Sequence, residues 1–181
     1  MWEHAVAILI GGYSRRMGSQ KQNIKLPSGQ TMLECMVAFA RDLSEKMVVV
    51  GGEVEHFRCI QDRRNDQGPL AGIEALLMSN IDSRYLVVGC DMPNLSLDLV
   101  SPLLKINETA IYVNRQNIIS LPLVISSTAA NACTAYLDSG KKSIRGFVQS
   151  IPHTKISIEN ERGELLRSIN TPDDLNKLTI K

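Results

Sequence analysis

The 181-residue sequence has almost no charge imbalance: 20 lysines and arginines face 19 aspartates and glutamates, a formal net charge of +1. Without a surplus of one sign there is no long-range attraction for nucleic acid, so any cationic site is local and no nucleic-acid partner is expected. Long apolar runs are missing as well. No stretch approaches the roughly 18 apolar residues of a spanning helix, and the first apolar run, residues 5–10, follows no basic region, so neither membrane insertion nor secretion is expected. The four cysteines, Cys35, Cys59, Cys90 and Cys133, form no C-x-x-C pair. That argues against a zinc ribbon and a disulfide framework, and fits a reduced cytoplasmic interior. His4, His56 and His153 lack H-x-x-x-H spacing and have no cysteine at ligand spacing, so no zinc site is expected. Repeats and low-complexity segments are also missing, and the length suits one sizeable core, a single domain over residues 1–181.

What is there is an alternation of strand and helix patterns. "AVAILI" at 5–10 is short, apolar and β-branched, and the glycines that follow make it a buried strand feeding a loop. Apolar residues from Thr31 to Leu43 recur at helical spacing. "MVVVGG" at 47–52 reads as a second strand, "FRCI" at 57–60 as a weaker third, and "GPLAGIEALLMS" at 68–79 as a loop passing into a helix. "RYLVVGCDMP" at 84–93 is a strand ending in an aspartate and a proline, and Ser96 is placed to cap a helix that Pro102 should bend or shorten. "TAIYV" and "IISLPLVI" read as strands flanking a turn at "NRQN", with Pro122 favouring an edge or irregular position for the second. Helical patterns at 128–138 and 143–150, a strand at "HTKISIE" and a short helix at "TPDDLNKL" complete the chain. The order predicts an α/β protein with three layers and a mainly parallel central sheet covered on both faces.

In such sheets ligands bind beyond the C-terminal ends of the strands, where the unusual segments fall. "GGYSRRMGSQK" at 11–21 combines Gly11, Gly12 and Gly18 with the hydroxyl of Ser14 and the charges of Arg15, Arg16 and Lys21. Exposed amides in a glycine-rich loop cradle phosphate oxygens, an arginine fork matches phosphate geometry, and a lysine supplies a mobile point charge. The segment is neither a Walker A loop, since Gly18 precedes Ser19 and Lys21 precedes Gln22, nor G-x-G-x-x-G, and in isolation it fits a plain basic turn equally well. "VVGCDMP" adds Asp91 at a strand end. A divalent cation bridging Asp91 to a polyphosphate would satisfy this carboxylate, and a turn cap before Pro93 is the plainer alternative. Glu53, Asp62 and Asp66 are further acidic candidates near strand ends, whereas Cys90, with no neighbouring histidine, reads as a packing thiol.

"LIGGYSRRMGSQK", "DQGPLAGI", "VVGCDMP" and "INTPDDL", in this order and spacing over residues 6–178, resemble the molybdenum cofactor guanylyltransferase family of small nucleotidyltransferases. The resemblance implies a Rossmann-like nucleotidyltransferase fold, transfer of GMP from GTP to molybdopterin with release of pyrophosphate, Mg²⁺ as cofactor, and transient contact with cofactor-delivery proteins. Carried over residue by residue, it places nucleotide binding at Leu9, Gly11, Gly12, Ser14, Arg16, Lys21, Asp62, Pro69, Leu70 and Gly72. Catalysis falls to Arg16, Lys21 and Asp91, with Asp91 as the metal carboxylate. Acceptor binding falls to Lys142 and Arg145 of "SGKKSIRGF" and to Asn170. Three positions depart from the family pattern: Gln20 where an acidic residue precedes the lysine, Ile10 for an alanine, and Ser168 for the first asparagine of the terminal pair. Gln20 removes a carboxylate that would orient Lys21, and Ile10 enlarges a side chain next to the nucleotide loop. Related cytidylyltransferases carry L-A-A-G where this chain has "LIGG", and the smaller Gly11 leaves room for a purine. A cytidylyl- or sugar-phosphate nucleotidyltransferase, or a non-catalytic nucleotide-binding protein, would use the same loop.

Overall fold

The computed structural model describes residues 1–10, 13–14, 19–115 and 117–176. The strands are β1 (Ala5–Leu9), β2 (Tyr13–Ser14), β3 (Ser19–Gln20), β4 (Met47–Val50), β5 (Cys59–Ile60), β6 (Arg84–Gly89), β7 (Ala110–Asn114), β8 (Asn117–Ser126) and β9 (Thr154–Ser157). The helices are α1 (Met32–Leu43), α2 (Pro69–Leu77), α3 (Leu97–Leu104), α4 (Ala130–Asp138), α5 (Ile144–Gln149), α6 (Asn160–Glu164) and α7 (Pro172–Asn176). Seven strands form one sheet in the order β5-β4-β1-β6-β8-β7-β9, and β2 and β3 form a separate small hairpin. Within the seven-stranded sheet only β8 runs against its neighbours; the β1 to β4, β1 to β6, β4 to β5 and β7 to β9 pairings are all parallel.

The period of two along β1 builds both cores. Val6, Ile8 and Ile10 pack with Met36, Val37 and Ala40 of α1 and Leu99, Val100 and Leu103 of α3 on one face. Ala5, Ala7 and Leu9 pack on the other with Leu70, Ile73 and Leu76 of α2, Cys133 and Leu137 of α4 and Phe147 of α5. Strands buried on both faces need near-continuous apolar residues, which is why β1, β4 and β6 stand out in the sequence. The α1 N-terminus is set by a capping box: the Glu34 amide donates to Thr31 Oγ1 at 3.1 Å and the Thr31 amide to Glu34 Oε2 at 2.7 Å.

Of the two positions that Pro122 favours, an edge or an irregular one, the folded chain takes the irregular one: β8 lies between β6 and β7. The missing N–H is accommodated by an irregularity, since the β7 to β8 register jumps from Ile111 opposite Leu123 to Tyr112 opposite Ile119, and pairing with β6 ends at Leu123. Pro102, for its part, sits inside α3 without ending it. A proline there leaves the carbonyl four residues earlier without its helical donor, and the Arg162 guanidinium donates to that Asp98 carbonyl at 3.3 Å. The short helix α6 and the β2–β3 hairpin are additions that the sequence pattern does not announce. No helix among the described residues is long and apolar enough to cross a membrane.

At the end of the sheet away from the strand C-termini, Asp82 joins the entrances of three strands. Its carboxylate accepts from His4 Nδ1 at 3.0 Å and from Lys46 Nζ at 3.0 Å. Burial alone would raise this carboxyl, but the hydrogen bonds from His4, Lys46 and the Ser83 amide more than offset it and bring its pKa from 3.8 to about 2. The unfolded chain therefore binds this proton first as pH falls. The contribution of Asp82 to stability is full above pH 3.8 and is lost progressively as pH falls through about 2. We expect Asp82→Asn to lower the unfolding free energy at neutral pH by about 1 kcal/mol, discounted for screening of the exposed Lys46 partner, and to flatten acid denaturation between pH 4 and 2. Urea titrations of both proteins across that interval test it, and parallel profiles would contradict it.

Candidate active site

The parallel strands deliver their C-terminal ends to one rim of the sheet, and a cavity of about 610 Å³ opens there. Its walls come from Leu9 at the end of β1, Val50 and Gly51 at the end of β4, Asp62, Asp66 and Gly68 between β5 and α2, and Gly89, Cys90 and Asp91 at the end of β6. The far wall is Ser120 and Leu121 of the β8 irregularity together with Lys142, Ser143 and Ile144 before and within α5. The irregular stretch forced by Pro122 thus faces the cavity. Among the cavity walls Val50, Gly51, Gly89, Ser120, Leu121, Ser143 and Ile144 are not site residues that the sequence points to. The strand-end rule would have found Gly51, and the Pro122 anomaly was the signal for Ser120.

Lys21, on a 3₁₀ turn directly after β3, reaches the rim and donates to Asp91 Oδ2 at 2.7 Å and to Asn170 Oδ1 at 2.6 Å. Residues separated by 70 and 149 positions meet at one ammonium, with the Lys21 and Asp91 side chains only 17% and 15% exposed. Each partner is itself held. The Ile169 amide donates to the Asp91 carbonyl at 2.8 Å, tying the last segment to the end of β6. Asn170 Nδ2 donates to the Ser168 carbonyl at 3.1 Å, and the Asn170 and Thr171 amides donate to Asp174 Oδ2 at 3.0 and 2.9 Å. The Asn170 amide, with the Thr171 hydroxyl and amide, keeps the Asp174 carboxyl below its ordinary range. A Cβ at residue 89 would stand 2.5 Å from Asp91 Oδ1, so only glycine lets that carboxylate fold back over the strand end.

The departures at 10, 20 and 168 look different in space. Ile10 is 2% exposed and packs in the α1/α3 core, on the opposite face from Leu9, so its bulk does not enter the cavity. Gln20 accepts from Gln22 on the surface, and Lys21 is oriented by Asp91 and Asn170 instead of by its predecessor. Ser168 lines the cavity.

Asp62 and the start of α2 form the opposite wall. Burial pushes the Asp62 carboxyl up, and a Cβ on Gly72 would lie 3.1 Å from Asp62 Oδ1 and 2.9 Å from Val50 Cγ1, so glycine lets the helix approach the strand end. Pro69 and Gly72 face the cavity; Leu70 is fully buried in the core beneath α2 and is no part of the wall, as the helical period requires. Cys90 is buried and its thiol is pushed up to about 12 by burial first and by Asp91 second, which suits packing and not nucleophilic attack.

The basic segment divides. Lys142 lines the cavity and donates to the Asp66 carbonyl at 2.9 Å. Arg145 lines a second cleft of about 630 Å³ with Arg115, Asn117, Asn160 and Arg167. Ser120 belongs to both cavities, so they adjoin. Gly11, Gly12 and Arg16 lie outside the described residues, and Ser14 falls in β2. No group of three or more His, Cys, Asp or Glu side chains that could hold a metal occurs among the described residues.

The site is thus a cavity at the C-terminal rim of a mainly parallel sheet, with a lysine, a carboxylate and an amide oxygen converging beside it. Residues 6–155 match the MobA-like NTP transferase domain, and the chain belongs to that family. It is 27% identical over 186 residues to a probable molybdenum cofactor guanylyltransferase from Pelotomaculum thermopropionicum, covering 96% of this chain and 90% of the relative. It is also 27% identical over 188 residues to the molybdenum cofactor guanylyltransferase from Syntrophotalea carbinolica, covering 96% and 89%. Among solved structures, the fold is shared with molybdopterin-guanine dinucleotide biosynthesis protein A from Archaeoglobus fulgidus, with a TM-score of 0.78, 22% identity and 96% of each chain covered. It is shared too with 2-C-methyl-D-erythritol 4-phosphate cytidylyltransferase from Thermus thermophilus, with a TM-score of 0.71, 18% identity and 96% of each chain covered.

Proposed function

We propose that this nucleotidyltransferase moves GMP from GTP to molybdopterin and releases pyrophosphate. The observation that carries the reading is the meeting of Lys21, Asp91 and Asn170 at the mouth of a cavity large enough for a nucleotide. The names of the curated relatives support the choice of base and acceptor. Asp62 supports guanine, because a carboxylate on the cavity wall accepts from the N1–H and exocyclic amine that guanine presents together.

In the reaction an ionised oxygen of the acceptor phosphate attacks the α-phosphorus, a new P–O–P bridge forms, and the bond to the β-phosphate breaks in line as pyrophosphate leaves. No general base is required when the nucleophile is already ionised. The donor set fits Mg²⁺: Asp91 and Asn170 offer two hard oxygens that already converge on a cation, and one or two protein oxygens completed by phosphates and water are the usual Mg²⁺ environment. When bound, the ion supplies the charge neutralisation that lets two anionic groups approach. Lys21 turns from its carboxylate and amide partners onto the phosphate oxygens, where charge gathers as pyrophosphate departs. Arg16 adds a second cation to the same phosphates, and the amides of Gly11 and Gly12 cradle them. The acceptor enters from the second cleft, with Arg145 on its phosphate, and meets the nucleotide at the shared Ser120 wall.

Calorimetric titration with GTP and with CTP in Mg²⁺, followed by pyrophosphate release with and without molybdopterin, tests this reading. GTP should bind more tightly, and pyrophosphate should appear only when molybdopterin is present. Equal or tighter CTP binding would overturn the choice of guanine; nucleotide binding with no release on any phosphorylated acceptor would make the chain a binding protein.

A further inference from the structure

The loop at 61–68 brings Asp62, Asp66 and Gly68 to the cavity wall, yet no backbone-to-backbone hydrogen bond among the described residues engages positions 61–67. Asp66 and Gly68 are both left-handed, with φ of 57° and 68°. A loop without backbone pairing keeps one shape only if side chains hold it. Gln61 donates to Glu53 and Arg63 reaches Met78, both at the surface. The stronger ties are charged. Arg64 grips Glu74 of α2 with two parallel bonds, Nε to Oε2 and Nη2 to Oε1, each 2.8 Å. Glu74 is 2% exposed, and the arginine fork supplies the paired hydrogen bonds that a carboxylate so buried needs. The third arm of the same guanidinium, Nη1, donates to Asp138 Oδ1 at 2.6 Å, at the end of α4. Four residues further on, Lys142 donates to the Asp66 carbonyl. Two ties therefore run from the turn between α4 and α5 to the loop, one to its middle and one near its end.

We propose that Arg64 and Lys142 are positioning residues that clamp the 61–68 loop against α2 and the α4–α5 turn, presetting the wall that receives the base of the nucleotide. The proposal rests on the nucleotidyltransferase reading, and it moves Lys142 from the acceptor to the nucleotide side. A loop preset in the free protein spares the nucleotide the entropy of ordering it, so the clamp sets nucleotide affinity and base discrimination and leaves the chemical step alone.

Arg64→Ala would strand Glu74 in the core and can fail by unfolding. The informative variant is Asp138→Ala with Lys142→Met, which removes both ties to the α4–α5 turn at exposed side chains and keeps the Arg64 to Glu74 pair. We expect the dissociation constant and KM for Mg²⁺-GTP to rise about 3- to 10-fold and the preference for GTP over ITP, which lacks the exocyclic amine, to fall. Turnover at saturation and the molybdopterin KM should stay within about twofold. Backbone ¹⁵N order parameters should fall across 61–68 and stay unchanged across 69–77. Asp138→Glu with Lys142→Arg should restore much of the affinity. Unchanged order parameters and affinity in the folded double variant would overturn the clamp, and so would a raised molybdopterin KM with GTP binding intact. A wild-type chain that binds no nucleoside triphosphate would remove the nucleotidyltransferase reading, and the proposal with it.

Discussion

Replacing Asp91 by alanine is expected to lower kcat/KM for guanylyl transfer by about 10³-fold or more while leaving the fold in place. The carboxylate is one of two oxygens that meet the Lys21 ammonium, and it is the one carrying charge. Without it the site loses both the principal oxygen available to a divalent cation and the group that anchors Lys21 at the cavity mouth. The backbone of residue 91 still accepts from the Ile169 amide, so the last segment stays attached to the end of β6. Circular dichroism should therefore be unchanged and Tm should move by only a few degrees. Mn²⁺ titration followed by electron paramagnetic resonance gives a readout separate from turnover, and the variant should lose the metal–nucleotide signal. Near-normal transfer by folded Asp91→Ala protein in Mg²⁺ would deny the residue its role.

The second large effect belongs to Lys21. Lys21→Ala should reduce kcat by about 10²- to 10³-fold, the usual cost of deleting a preorganised charged donor, with a much smaller change in the GTP dissociation constant. In the proposed reaction the ammonium would neutralise charge that gathers on phosphate oxygens as pyrophosphate leaves, so its value would lie mostly in the transition state. Asp91 and Asn170 survive in this variant, and Mn²⁺ binding should persist where Asp91→Ala has lost it. That contrast separates the two side chains, although they touch at 2.7 Å. Lys21→Arg should recover little, because a planar guanidinium spreads its charge over a rigid fork and does not reproduce the compact point charge that sits between the carboxylate and the amide. An unchanged rate in Lys21→Ala would return the residue to an ordinary buried ion pair.

Much of the layout is legible before folding is considered. β1, β4 and β6 are apolar on every residue that the two helical layers cover, and α1 carries both its helical period and its capping box within twelve or so positions. Asp91 shows because an acidic residue closing an apolar strand is a local contradiction. Asn170 shows only through the resemblance of "INTPDDL", since nothing in its local pattern relates it to Lys21, 149 residues away. Leu70 belongs to a contiguous motif, whereas a helix sends adjacent residues to different faces and buries this one in the core.

What the sequence determined by itself were the elements and their buried faces, because periodicity, capping and turn chemistry are properties of neighbouring residues. It also determined which side chains are chemically unusual. The tertiary structure alone decided who meets whom. β8 inserts between β6 and β7 despite Pro122, and its irregular stretch becomes a cavity wall. Lys142 and Arg145, three positions apart, face different cavities, and Arg64 finds a buried glutamate on α2 and an aspartate on α4. Those pairings depend on strand order and on the direction of each side chain from its backbone. Both are fixed only when long-range burial selects one arrangement of the elements from the many that local preferences allow.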